Sequence, residues 1–391
     1  MAGQAAWFSS LGLQFVLFPY LVAIVLHETP ARVGIAQMSL SAPAILFMLL
    51  GGATADRGDP RTILFRIHLL AALPPLALAS ALNIDFLTFE MLVAYGLFMG
   101  TATAFAMPAR DATLSIVVGS NVQRGVTLAL AVQQTAQLAG MLVGVAAAGI
   151  GAPLLFAGQS LVMLAGGLAS RQLPKKVIDP TTVHAPRAQA MKDGLIYVRQ
   201  SDVLAPVVIA MFAVGIFYIG SFLVILPLIV RDFYGGGLVE IGLANIAFWG
   251  ATIISTVALL KFGHVARRGR GAMMALAAGV GVVFAFTFEM PFWLFCFFSF
   301  IWGLCAGCVM TLSRTIVQSE AEEAYRARAL SIFQLGFAGG SPLGSLIMGV
   351  LAGYVGSHAA MWLPAIGMTL VLVWLMLKSR LWTLHAHDDT T

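Results

Sequence analysis

The chain has 391 residues, of which 60% are hydrophobic and 10% charged, and its mean hydropathy is +0.92. So apolar a composition excludes a water-soluble domain, a disordered chain, a disulfide framework and a fibrous repeat, and leaves a polytopic helical membrane protein. The net charge of +5, from 22 Lys and Arg against 17 Asp and Glu, reads as a record of membrane orientation and not as a nucleic-acid surface, because the basic residues are scattered between apolar runs.

An unpaired charge in hydrocarbon costs at least about 2.5 kcal/mol, so charge-poor runs mark the spans. Twelve are predicted, near residues 4–27, 33–54, 63–83, 86–107, 124–149, 152–170, 203–229, 240–261, 272–290, 292–313, 328–354 and 358–377. Gly125 to Ser170 and Ala329 to Leu377 carry no Asp, Glu, Lys or Arg and are too long for one crossing. Each must fold back as a hairpin, near Gly149–Pro153 and near Gly356–His358. With the N-terminus in the cytoplasm, 20 basic residues fall inside and only Arg32 and Arg231 outside. That asymmetry predicts an inner-membrane protein with both termini cytoplasmic.

The hydrophilic connection after span 6 divides the chain into a bundle at 1–170, a linker at 171–202, a second bundle at 203–379 and a cytoplasmic tail at 380–391. Within the linker, Met191–Arg199 has the spacing of a short amphipathic helix on the cytoplasmic surface. The halves echo each other. Gly52 to Gly58 matches Gly263 to Gly269 at an offset of 211 residues, and Arg110 and Arg124 match Arg314 and Arg328 at 204. A duplicated six-span unit is the symmetry expected of a secondary transporter.

No Asp, Glu, Lys or Arg falls in the middle third of a span, so a fixed mid-membrane carboxylate is not available to bind a cation. The polar residues at depth are Gln14, Gln37, Gln133, Gln134, Gln137, Tyr218, Asn245, Trp249 and Gln334. Amides and aromatics of this kind suit a bulky uncharged or amphipathic substrate, or else interhelical hydrogen bonds. His68, about a turn inside span 3, reads as an interfacial residue in preference to a proton carrier. Gly336, Gly340 and Gly344, with Pro342 among them, form a smooth face for close packing or a hinge. Cys305 and Cys308 have CxxC spacing but no second pair and no nearby His, so no metal and no cofactor is expected. An intramembrane enzyme lacks its nucleophile, base or metal cluster here, and no P-loop is present.

The stretch Gly52-Ala-Thr-Ala-Asp56-Arg57-Gly58-Asp-Pro-Arg61 resembles the loop 2–3 signature of the major facilitator superfamily, although Asp59 and Pro60 depart from it. Pro108-Ala-Arg110-Asp111-Ala and Lys192-Asp-Gly-Leu-Ile-Tyr197-Val-Arg199 are similar to the branch containing the enterobactin exporter and the macrolide efflux proteins. The resemblance implies an all-α fold of twelve transmembrane helices in two pseudo-symmetric six-helix bundles. It implies export of a small amphipathic molecule, drug-like or a siderophore, by alternating access with proton coupling, from a monomer in the bilayer. An importer of a nutrient or metabolite, and a non-transporting membrane sensor, are the alternatives. Asp56, at the inner end of span 2, can pair with Arg57, Arg61 or Arg110, so these residues and Gly52 are the expected inner gate.

Overall fold

A computed structural model describes residues 1–118, 122–174, 187–262 and 267–383, and these are helical apart from short turns. In chain order the helices are α1 (Ala2–Val25), α2 (Pro30–Arg57), α3 (Pro60–Asn83), α4 (Phe89–Val118), α5 (Val122–Val145), α6 (Ala152–Ser170), α7 (Arg187–Gln200), α8 (Leu204–Asp232), α9 (Leu238–Phe262), α10 (Arg268–Ala285), α11 (Phe292–Glu320), α12 (Glu323–Val355) and α13 (Ser357–Lys378). Eleven helical stretches among the described residues are long and apolar enough to cross a bilayer. The twelfth membrane helix is α10, whose 18 residues open on Arg268 and Arg270. The remaining helix, α7, falls within the second of two compact units. Two compact units result: Met1–His184 with Gly235–Leu243, and Ala185–Tyr234 with Ala244–Thr391.

Both predicted hairpins turn on a glycine with positive φ, Gly151 at +94° and Gly356 at +85°, a conformation that costs other residues a steric clash. Close approach repeats in the same order in each half. In the first unit α1 packs on α5 and α2 on α4; in the second, α8 packs on α12 and α9 on α11. A Cβ added at Gly140 would lie 1.9 Å from the Ser9 carbonyl oxygen of α1, and one at Gly344 would lie 2.1 Å from the Ile216 carbonyl oxygen of α8. Gly100 and Gly303 do the same for the other two pairs, at 2.5 Å from Leu40 O and 2.0 Å from Phe248 O. In lipid there is no hydrophobic gain from pairing two apolar helices, so backbone contact through missing side chains takes its place. α1 and α8 also each contain a π-helical turn, Leu21–Val25 and Gly215–Ile219, which locally shifts the facing residues.

Some helix ends differ from the predicted spans. α4 continues through Arg110 and Asp111 to Val118, well beyond residue 107, and α11 runs to Glu320. α12 already begins at Glu323. A charge marks where hydrocarbon ends, but the backbone keeps its hydrogen-bonded ladder in water, and Pro108 is accommodated inside α4. Arg110 and Arg314 therefore sit on helices and not in loops. Asp59, a departure from the resembled signature, caps α3: its carboxylate accepts the Arg61 backbone N–H at 3.3 Å and the Thr62 hydroxyl at 2.9 Å.

Candidate functional site

Within the first unit, α1, α4 and α6 bring four polar side chains together in an apolar interior. The Tyr95 hydroxyl donates to Gln14 Oε1 at 3.1 Å and accepts from Gln159 Nε2 at 3.1 Å. Gln159 Nε2 also donates to Ser10 Oγ at 2.6 Å, and its Oε1 is buried with no hydrogen-bond partner. Phe18 stacks on Tyr95 at 5.8 Å and Phe156 meets it edge-on at 6.2 Å. Away from water such a network is held in one geometry, because each lost partner leaves a desolvated polar atom. Of its members only Gln14 was singled out above. Tyr95 and Gln159 lie in charge-poor spans like the amides that were, so the signal was present and only the selection missed them.

In the second unit, Tyr218 of α8 donates its hydroxyl to the Leu276 carbonyl at 3.0 Å and meets the Trp302 ring edge-on at 5.8 Å. Phe222, Phe248 and Trp302 join it in one aromatic group, and Trp249 packs against Phe248 at 5.4 Å. Asn245, one turn from Trp249 on α9, is buried. The π-helical turn of α8 contains Tyr218, and Gly340 and Gly344 of α12 press against the same part of α8, with Gly336 contacting Val208. Pro342 lies inside α12, which remains one helix.

A cavity of about 280 Å³ opens at the end of the first unit that carries Pro60 and Arg110. Its lining includes Gln4, Trp7, His68, Met107, Arg110 and Gln172. Arg110 pairs with Asp111 at 2.9 Å, donates to Gln133 Oε1 at 3.3 Å and lies 5.1 Å from the centre of the Phe8 ring. His68 is 3% exposed, because glycines on α6 leave it a slot that sequence spacing on α3 alone does not reveal.

Of the other gate residues, Arg57 is exposed, Arg61 is half-buried and Gly52 is buried. The side chain of Asp56 lies outside the described residues. Among the remaining amides, Gln37 and Gln137 are buried, Gln134 is half-buried and Gln334 is exposed. Among the described residues no Asp, Glu, Lys or Arg is buried; the buried polar groups are amides, hydroxyls and His68, apart from the aromatic heads.

A family model described as transmembrane secretion effector matches residues 4–391. Among solved structures the chain is similar to the nucleoside transporter NupG, with a TM-score of 0.75 at 15% identity over 96% of this chain and 97% of that one. It is similar to a D-xylose-proton symporter, with a TM-score of 0.73 at 13% identity over 97% and 95%. A bacterial homologue of the human lysosomal transporter Spinster, inward-facing and unoccupied, gives a TM-score of 0.72 at 12% identity over 99% and 97%. No curated protein matches the chain.

Proposed function

The chain belongs to the transmembrane secretion effector family, of major facilitator type, and from that membership we propose that it exports a small amphipathic molecule across the cytoplasmic membrane by proton-coupled alternating access. The observation that carries the substrate class is the character of the interior: buried amides, hydroxyls and aromatic rings, with no buried Asp, Glu, Lys or Arg among the described residues. A permanently charged small ion needs a fixed opposite charge at depth, whereas an amphipathic molecule is held by apolar area and a few oriented hydrogen bonds. Gln14, Gln37, Gln134, Gln137, Tyr218, Asn245, Trp249 and Gln334 are the residues we assign to that task. Asp56, Arg57, Arg61, Arg110 and Gly52 form the inner gate, and Gly336, Gly340, Pro342 and Gly344 the packing face that flexes. The bundles at 1–170 and 203–379 and the linker at 171–202 are the working parts of a monomer with both termini in the cytoplasm. A drug-like compound or a siderophore fits the branch resemblance. Import is the second reading, in keeping with the symporter among the structural neighbours.

Everted membrane vesicles from an overproducing strain, energised with ATP and offered a panel of amphipathic fluorescent dyes and a ferric siderophore, separate the two. Accumulation that an uncoupler abolishes supports export. Uptake confined to right-side-out cells overturns the direction.

A further inference from the structure

His68 sits in a slot made by three glycines on two helices of one unit, Gly166 and Gly167 on α6 and Gly3 on α1. A Cβ at Gly166 of α6 would lie 2.9 Å from His68 Cδ2, and one at Gly167 would lie 3.1 Å from His68 Cβ. Gly3 of α1 is pressed onto α6, where its own Cβ would meet Ser170 Oγ at 3.0 Å. The backbone of Gly3 is thereby brought to the imidazole. Trp7 closes the slot edge-on at 5.3 Å. Both ring nitrogens face carbonyl oxygens: Nδ1 lies 2.8 Å from Leu64 O and Nε2 lies 3.2 Å from Gly3 O.

Two carbonyls accept and neither donates, so the neutral imidazole satisfies only one of them and turns a lone pair toward the other. With the shorter contact kept on α3, the lone pair is turned toward the Gly3 carbonyl. The protonated ring donates to both and ties the first turn of α1 to α3. We propose that His68 is a proton-binding site whose occupancy sets how tightly the start of α1 is held and, resting on the proton-coupled reading above, that the coupling proton resides there.

The surroundings bear on this from each packed element. α1 presents Gly3, Ala6 and Trp7, none of them titratable, and Met1 just before it, which carries an amino group, lines the same cavity. From α4, Arg110 lines the same cavity and is paired with Asp111. Beyond α6, Arg171 lies 4.0 Å from the centre of the Phe65 ring, and Arg66 of α3 is exposed. No carboxylate is among the lining residues of the cavity. The cavity reaches the imidazole, so a proton has a path to it that does not require the bundle to unpack.

The test uses the full chain in lipid vesicles with 15N-labelled histidine, titrated between pH 5 and pH 8, the window in which an imidazole changes charge. The His68→Gln variant identifies the signal among the seven histidines. The expected result is a ring with both nitrogens protonated at the acid end and only Nδ1 protonated at the other. Amide exchange over residues 2–8, corrected for its intrinsic pH dependence, then quickens by roughly tenfold on deprotonation, the factor one hydrogen bond from a charged donor confers. His68→Gln abolishes that dependence. A single neutral tautomer throughout, or an unchanged pH dependence in the variant, overturns the proposal. Should the variant fail to accumulate, the wild-type exchange over residues 2–8 against that over residues 204–214 decides the matter alone. A ring that titrates in vesicles whose accumulation ignores an uncoupler refutes proton coupling and leaves the site standing; uncoupler-sensitive accumulation with a ring that does not titrate refutes the site.

Discussion

Replacing Gly140 with Ala tests whether backbone contact holds α1 against α5. The new Cβ would lie 1.9 Å from the Ser9 carbonyl oxygen, whereas a carbon and a carbonyl oxygen rest about 3.4 Å apart. The helices must separate by roughly 1.5 Å at that level, and overpacking of this kind costs about 1–3 kcal/mol. Gly158→Ala on α6 is the control, since nothing lies within 4 Å of its Cβ position. Each substitution gains about 1 kcal/mol of helix propensity, so the difference between the variants isolates the packing cost. Denaturant unfolding in detergent micelles, followed by tryptophan fluorescence, should rank Gly140→Ala below Gly158→Ala by about 1–3 kcal/mol. Gly12→Ala meets the Gln137 carbonyl oxygen at 1.9 Å in the same crossing, so the Gly12→Ala/Gly140→Ala pair should cost less than the sum of its parts. Equal stability of Gly140→Ala and Gly158→Ala, within about 0.5 kcal/mol, would refute the reasoning.

Tyr95→Phe removes the hydroxyl shared by Gln14 and Gln159; a loss of about 1–3 kcal/mol is expected in the same assay, from buried amide atoms left without partners. Tyr197→Ala deletes the ring stacked on Tyr325 at 4.5 Å and the hydroxyl that accepts the Glu322 N–H, so α7 should be cut faster in limited proteolysis while membrane insertion is unchanged. Asp56→Asn should reach the membrane at normal levels but turn over severely more slowly; full transport by that variant removes Asp56 from the gate.

The spans and the hairpins at Gly151 and Gly356 were legible because bilayer thickness and the cost of a buried charge constrain any chain of this composition. Helical spacing over Met191–Arg199 was legible too, and the structure has a helix there, Arg187–Gln200. Helix ends were not, since α4 and α11 continue past the charges that closed the predicted spans, Arg110 and Arg314, into a region where charge no longer opposes helix. Individual polar contacts were less legible still. Gln14 was selected for its depth, but its partner Tyr95 lies 81 residues away and Gln159, which donates to the same hydroxyl, a further 64, so only tertiary packing joins them. His68 shows the same limit: its burial depends on Gly166 and Gly167, which by themselves look like any small residues in an apolar helix.

The most direct measurement is transport by the purified chain alone, reconstituted into proteoliposomes with an imposed pH gradient and offered the dye panel. The account predicts gradient-driven movement of at least one amphipathic dye, lost on adding an ionophore and not seen with small inorganic cations. Folded protein that moves none of the panel while passing a small inorganic cation would contradict it.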